Sequence, residues 1–206
     1  MTVVDYGMGN LGSVVNMLKK IGADVCVTSD KERIGMANKI ILPGVGSFDH
    51  GMSHIKERGL YDPLNEHALV KKKPILGICL GMQLLTRQSE EGGVPGFGWI
   101  DADTVRFNFG ANSCQLKIPH MGWNIVNIKK AHPLLKDFTA DRESRFYFVH
   151  SYHVLCDKEE DVLTTTKYGY DFTSSVAKEN IMGAQYHPEK SHKFGMRLLK
   201  NFVELI

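Results

Sequence analysis

The segment Pro74-Ile75-Leu76-Gly77-Ile78-Cys79-Leu80-Gly81-Met82-Gln83 constrains the fold of this chain more than any other. An apolar run passes into Gly-x-Cys-x-Gly, and helix-forming residues follow at once. A strand that becomes a helix through one cysteine needs glycines beside it, because the turn is too tight for side chains. Such an elbow belongs at the carboxyl end of a buried strand in a sheet with helices on its faces. It holds the Cys79 sulfur out at the strand end, beside a helix N-terminus that favours negative charge. It also aims the Leu80 N–H at the place where an oxyanion would form. A lone cysteine is more often a small buried apolar residue, but flanking glycines at a strand-to-helix junction turn the reading toward a nucleophile.

The surrounding pattern agrees. Strands are expected over 2–6, 25–28, 39–42 and 74–78, with helical spacing at Leu11, Val14, Val15 and Leu18, across 47–70, and over 80–87. That alternation predicts an α/β fold with a flavodoxin-like, mostly parallel central sheet flanked by helices. The second half reads as strands over 99–109, 124–129, 145–149, 161–167, 174–177 and 181–186 without long helices between them, and a final amphipathic helix carries Phe194, Leu198, Leu199, Phe202 and Val203. Those strands form either an antiparallel extension or a second small sheet. With 206 residues, 43% of them hydrophobic, and no linker-like stretch, one domain over 1–206 is expected.

A net charge of +2 from 25 basic and 23 acidic residues gives no electrostatic footprint for nucleic acid. No signal peptide and no bilayer-length apolar run is apparent. Cys26, Cys79, Cys114 and Cys156 form no C-x-x-C motif, so a cytoplasmic protein with reduced thiols, no metal and no cofactor is expected.

A cysteine nucleophile needs a base, and the base needs an orienting group. His187, in Gln185-Tyr186-His187-Pro188-Glu189-Lys190, ends an expected strand, with Glu189 two residues on and Pro188 stiffening the link. Cys79, His187 and Glu189 can serve as nucleophile, base and orienter.

Gly77-Ile78-Cys79-Leu80-Gly81-Met82-Gln83 and Tyr186-His187-Pro188-Glu189-Lys190-Ser191 resemble the two signature segments of the class I, triad-type glutamine amidotransferases. Asp5-Tyr6-Gly7-Met8-Gly9-Asn10, Pro43-Gly44-Val45-Gly46, Pro119-His120-Met121-Gly122-Trp123-Asn124 and Phe148-Val149-His150-Ser151-Tyr152 narrow the resemblance to the glutaminase-subunit family of imidazole glycerol phosphate synthases. It covers essentially the whole chain. It implies that Cys79 attacks the glutamine side-chain amide, that His187 moves the proton and that Glu189 holds His187. It also implies an oxyanion hole from Leu80, Val45 and Gly46, and a glutamine site of Gly46, Gln83, Glu91, Ser151 and Tyr152. Glu91 suits that role physically, since a carboxylate can meet the substrate α-ammonium. The implied partner is a (β/α)8-barrel cyclase that makes imidazole glycerol phosphate and AICAR in histidine biosynthesis, met through Asn10, Pro119, Met121, Trp123, Tyr147 and Lys190. A paralogous family supplies ammonia for amidating a surface-polysaccharide sugar, and Gly98-Trp99-Ile100-Asp101-Ala102 and Ser151-Tyr152-His153 look somewhat more like it.

Other motifs point elsewhere. Gly7-x-Gly9-x-x-Gly12 with Asp30 beyond the next strand meets the dinucleotide fingerprint of an oxidoreductase, a reading that leaves the Cys79 elbow without a role. His50 and His54 share a helix face but lack the glutamate a zinc protease needs after its first histidine, so a solvated face is expected.

Overall fold

The computed structural model describes residues 1–110, 116–139 and 143–206. Strands β1 (Thr2–Val4), β2 (Cys26–Thr28), β3 (Ile40–Gly44) and β4 (Ile75–Cys79) lie parallel in the order β2-β1-β3-β4. The strand on the other side of β4 comes from the far end of the chain: β11 (Ile181–Ala184) runs parallel to β4, with Ala184 opposite Ile78. Beyond β11 the sheet is antiparallel through β10 (Tyr170–Lys178), β9 (Val162–Tyr168), β6 (His120–Ile128) and β7 (Ser144–His150). Strand β8 (Tyr152–Cys156) pairs with β10 and with β5 (Ala102–Arg106). The second-half strands therefore extend the first-half sheet, and β11 is the junction.

The inner parallel strands β1, β3, β4 and β11 are buried on both faces, which explains their nearly continuous apolar sequences, whereas the edge strand β2 leaves Val27 exposed. Val4, Ile40, Leu42 and Ile75 face α3 (Phe48–Glu57) and α4 (Tyr61–Asn65), packing with Met52, Ile55 and Leu64. The alternate residues Val3, Ile41, Leu76 and Ile78 face α1 (Leu11–Lys20) and α6 (His192–Leu205), packing with Val14, Leu18, Leu198, Leu199 and Phe202. Burying a side chain of this size stabilises the fold by about 1.5–3 kcal/mol.

The structure departs from periodicity in several places. The helical stretch 47–70 breaks at Gly59, whose φ is +64°, and resumes as α4 followed by a π-helical turn at Glu66–Val70. The helix after the elbow, α5 (Leu80–Leu84), stops short of Arg87 because the Arg87 amide turns to the Ala102 carbonyl at 3.0 Å. The 99–109 strand is confined to Ala102–Arg106, since Phe97 and Trp99 stack with centroids 4.1 Å apart in the core instead of pairing. The short helix α2 (Lys31–Met36) and strand β8 carry too little apolar periodicity to be legible.

Phe202 is wholly buried where α6 closes the sheet. Phe202→Ala should destabilise the fold by about 3–5 kcal/mol, read as a lower urea midpoint. A loss under about 1 kcal/mol would contradict this packing.

Candidate active site

Cys79 is the last residue of β4 and leads directly into α5 with φ +55° and ψ −110°. A side chain held in such a region costs about 1–3 kcal/mol and persists only where the surroundings enforce it. The flanking glycines do the enforcing, though not by adopting left-handed backbone themselves. A Cβ on Gly77 would press on the Gly81 carbonyl, and one on Gly81 would land on the Leu42 carbonyl oxygen of β3. The elbow is thus wedged backbone-to-backbone against its neighbour strand, and the strained residue is the cysteine.

The β4–β11 pairing brings His187 to the elbow. Two residues beyond Ala184 the chain reaches Tyr186, buried in the core, and then His187. The His187 amide donates to the Tyr147 carbonyl at 2.9 Å. Ser191 Oγ donates to the His187 carbonyl at 2.6 Å and accepts from the Tyr147 amide at 3.0 Å. His187 Nδ1 lies 2.7 Å from Glu189 Oε1, with both side chains almost completely buried. Nδ1 therefore donates to the carboxylate. Nε2 is buried without a hydrogen-bond partner of its own, and the Cys79 thiol is the other group acting on the ring. Burial alone would lower the His187 pKa; interaction with Cys79 and Glu189 outweighs it and lifts the pKa to about 10.

A cavity of about 300 Å³ opens at the sulfur. Val45, Gly46, Leu80, Gln83, Glu91, Ser151 and Tyr152 all line it, as do Pro119 and His150. Val45 and Gly46 reach it because Gly44 at the end of β3 pairs with Cys79. Gln83 Nε2 donates to the Tyr152 carbonyl and to Gln185 Oε1, both at 3.1 Å, and Gln185 Nε2 is 3.8 Å from Cys79 Sγ. Glu91 Oε2 accepts from the Phe48 amide at 3.0 Å. Burial raises the Glu91 pKa, opposed by that amide and reinforced by Asp49, so a cation would find an under-compensated carboxylate here. A larger hollow of about 760 Å³ beside Pro133, Phe138 and Leu205 lies away from this chemistry.

The residues read as partner-facing gather mostly on one surface. Met121 and Trp123 are 62% and 47% exposed, which removes Trp123 from the core. Trp123 stacks on His192 at 5.4 Å and meets Tyr147 edge-on at 6.2 Å, while Lys190 Nζ sits 5.5 Å over the Tyr147 ring. Asn10 is exposed and caps α1, accepting from the Ser13 amide at 3.4 Å. Pro119 belongs to the cavity wall instead.

Gln185, Ser191 and His150 were not singled out from sequence as site residues. Gln185 and Ser191 lie inside or beside the His187 motif, so their place next to the histidine was the available signal. Asp30 caps α2, its carboxylate accepting from the Arg33 amide at 2.9 Å. His50 is exposed, but His54 is half-buried and donates to the Tyr6 carbonyl at 3.2 Å, so that helix face is only partly solvated. Cys26, Cys79 and Cys156 are free thiols, and Cys114 lies outside the described residues. Among the described residues no helix is long and apolar enough to cross a membrane.

The sequence matches the family described as Glutamine amidotransferase class-I over residues 2–205. It is 54% identical over 202 residues to a Methanococcus maripaludis protein named imidazole glycerol phosphate synthase subunit HisH 2, covering 98% of both chains. It is 51% identical over 204 residues to a Pseudomonas aeruginosa protein of the same name, covering 99% of this chain and 98% of that one. Among solved structures, PurLQS from Thermotoga maritima superposes with a TM-score of 0.74 at 18% identity, covering 98% of this chain and 95% of that one. A crystal structure titled glutamine amidotransferase gives 0.73 at 18% identity, covering 98% and 97%. At such identities the superpositions establish the fold.

Two outcomes follow from the geometry. Gly81→Ala should lower the urea midpoint sharply, because the added methyl meets backbone that cannot move aside; an unchanged midpoint would contradict the wedged elbow. Cys79→Ala should lower the His187 titration midpoint seen by imidazole NMR, since one of the two groups lifting it is gone. The raised pKa also has a stability sign: His187 contributes fully below its unfolded value of about 6.5, and that contribution is lost as pH rises through about 10. A His187 midpoint unmoved by Cys79→Ala would sink this account of the pair.

Proposed function

The chain belongs to the class I glutamine amidotransferase family, and from that membership we propose that it is a glutaminase subunit, one domain over 1–206, that hydrolyses L-glutamine and passes the ammonia to a partner. The observation that carries the proposal is the strained Cys79 elbow beside the buried His187–Glu189 pair, opening on a cavity sized for an amino acid.

In this reading the thiol proton has passed to His187 before the attack, which leaves an imidazolium beside a thiolate, and Cys79 Sγ then attacks the glutamine side-chain carbonyl carbon. The Leu80 amide, with those of Val45 and Gly46, stabilises the oxyanion. Collapse breaks the C–N bond, His187 gives its proton to the departing nitrogen, and ammonia leaves behind a glutamyl thioester. Water then attacks the thioester with His187 accepting its proton, and the thiolate departs beside the imidazolium, which restores the starting pair. The balance is glutamine plus water to glutamate plus ammonia. Glu189 keeps Nδ1 protonated so that Nε2 does the work. Gly46, Gln83, Ser151 and Tyr152 grip the substrate, and Glu91 takes its α-ammonium.

Support for the partner comes from the exposed Met121, Trp123 and Lys190 around the half-buried Tyr147, contiguous with the His187 turn through Lys190. The relatives' printed name and the sequence resemblance favour a (β/α)8-barrel cyclase forming imidazole glycerol phosphate and AICAR, within a cytoplasmic heterodimer serving histidine biosynthesis. The segments Gly98-Trp99-Ile100-Asp101-Ala102 and Ser151-Tyr152-His153, which look somewhat more like the paralogous family, keep a second reading in which the ammonia amidates a surface-polysaccharide sugar. Reconstitution with each kind of synthase separates the two.

Cys79→Ala should reduce glutamine hydrolysis by several orders of magnitude, and Glu189→Gln should hurt less than His187→Ala because an orienting carboxylate does not carry the proton. Substantial ammonia release by purified Cys79→Ala would end the proposal. Ammonia production should also rise sharply when the partner binds its acceptor, and Trp123→Ala or Lys190→Ala should blunt that rise. A lone chain as fast as the full assembly would reject the partner and leave the triad standing.

A further inference from the structure

Behind the glutamine cavity lies a polar chain for which the proposed chemistry has no use. Asn124 of β6 is fixed by its neighbours: Oδ1 accepts from the Ile125 amide at 2.8 Å, and Nδ2 donates to the Lys167 carbonyl at 3.0 Å. Asn124 Nδ2 is also 3.2 Å from His120 Nε2, His120 Nδ1 is 3.1 Å from His150 Nε2, and His150 Nδ1 is 2.7 Å from the Tyr152 carbonyl oxygen.

The ends of this chain decide its middle. An amide nitrogen can only donate and a carbonyl can only accept, while a neutral imidazole has one N–H. The hydrogens can then be placed in one way: Asn124 donates to His120 Nε2, His120 Nδ1–H to His150 Nε2, and His150 Nδ1–H to Tyr152. A proton added to either ring would set two donors against each other. Both rings are buried among Phe107, Phe148 and Phe172. Burial lowers the His120 pKa to about 4 and holds that of His150 well below its ordinary range, so both are neutral near pH 7.

The Tyr152 carbonyl also accepts from Gln83 Nε2, which reaches Gln185, which reaches the Cys79 sulfur. An unbroken hydrogen-bonded path therefore joins β6 to the nucleophile. The same strand presents Met121 and Trp123 outward.

We infer that His120 and His150 are positioning residues for glutamine, a relay that locks the Tyr152 carbonyl and the Gln83 amide in the orientation that receives the substrate and makes that orientation depend on where β6 sits. The inference rests on the glutaminase reading above. Neither ring touches the reacting atoms in this role; they act through Tyr152 and Gln83.

The test is steady-state glutamine hydrolysis by the full chain carrying His150→Phe, His150→Asn, His120→Phe or both phenylalanines, beside Cys79→Ala. Phenylalanine suits the aromatic nest but has no donor. His150→Phe should raise KM for glutamine roughly five- to tenfold, the worth of about one hydrogen bond, with kcat within about twofold. His150→Asn, whose Nδ2 can stand near the position of imidazole Nδ1, should recover most of that loss. His120→Phe should raise KM less, and the double variant should match His150→Phe instead of multiplying the two effects, as members of one chain do. Wild-type KM in His150→Phe, failure of asparagine to rescue, or multiplicative effects in the double variant would each overturn the relay. Hydrolysis surviving in Cys79→Ala would instead reject the glutaminase reading, so the two failures are distinguishable.

Discussion

The structure depends on the parallel pairing of β4 with β11. These strands come from opposite parts of the chain, and their register, Ala184 against Ile78, sets two loops side by side at one sheet end. One loop is the Cys79 elbow and the other the His187 turn. On the opposite flank, Gly44 of β3 pairs with Cys79 and brings Val45 and Gly46 to the same end. A ligand crevice outside the carboxyl ends of parallel strands is the general outcome of this architecture. The apolar layers on both sheet faces hold the register, and they also offset the backbone strain at Cys79.

Buried histidines in this molecule divide by what they touch. His187 faces a carboxylate and a thiol, and despite burial it holds a proton tightly. His120 and His150 face an amide, a carbonyl, each other and aromatic rings, and burial keeps them neutral. Desolvation disfavours the charged imidazole in every case, and a nearby opposite charge reverses the result. One side chain type thus supplies a charged member of the proposed catalytic pair and two members of a fixed, neutral scaffold behind the proposed substrate site.

Much of this was legible in the sequence. The inner parallel strands announce themselves because burial on both faces demands uninterrupted apolar runs, and Gly77 and Gly81 mark the elbow because no other residue leaves room for the backbone around them. The spacing of His187 and Glu189 allowed the pair, and the resemblance of the surrounding segment to the family signature made it the reading. What could not be read is pairing over long range: that β11 lies against β4, that β8 forms at all, and that His150 and His120 meet across β6 and β7. Each depends on register between distant segments, and local periodicity carries no register. Trp123 shows the same limit, since exposure or burial of a lone tryptophan is decided by which strand face turns outward. Asp30 shows the converse: its place after a strand fits a ribose ligand or a helix cap, and the adjoining helix α2 makes it a cap.

The central claim is that Cys79, activated by His187, is the nucleophile toward glutamine. An electrophilic glutamine analogue followed by peptide mass spectrometry tests it most directly. The account predicts one adduct, on Cys79, formed faster than on any other thiol, suppressed by excess glutamine and slowed in His187→Ala. An adduct that formed preferentially on Cys26, Cys114 or Cys156, or labelling of Cys79 indifferent to glutamine and to His187, would contradict it.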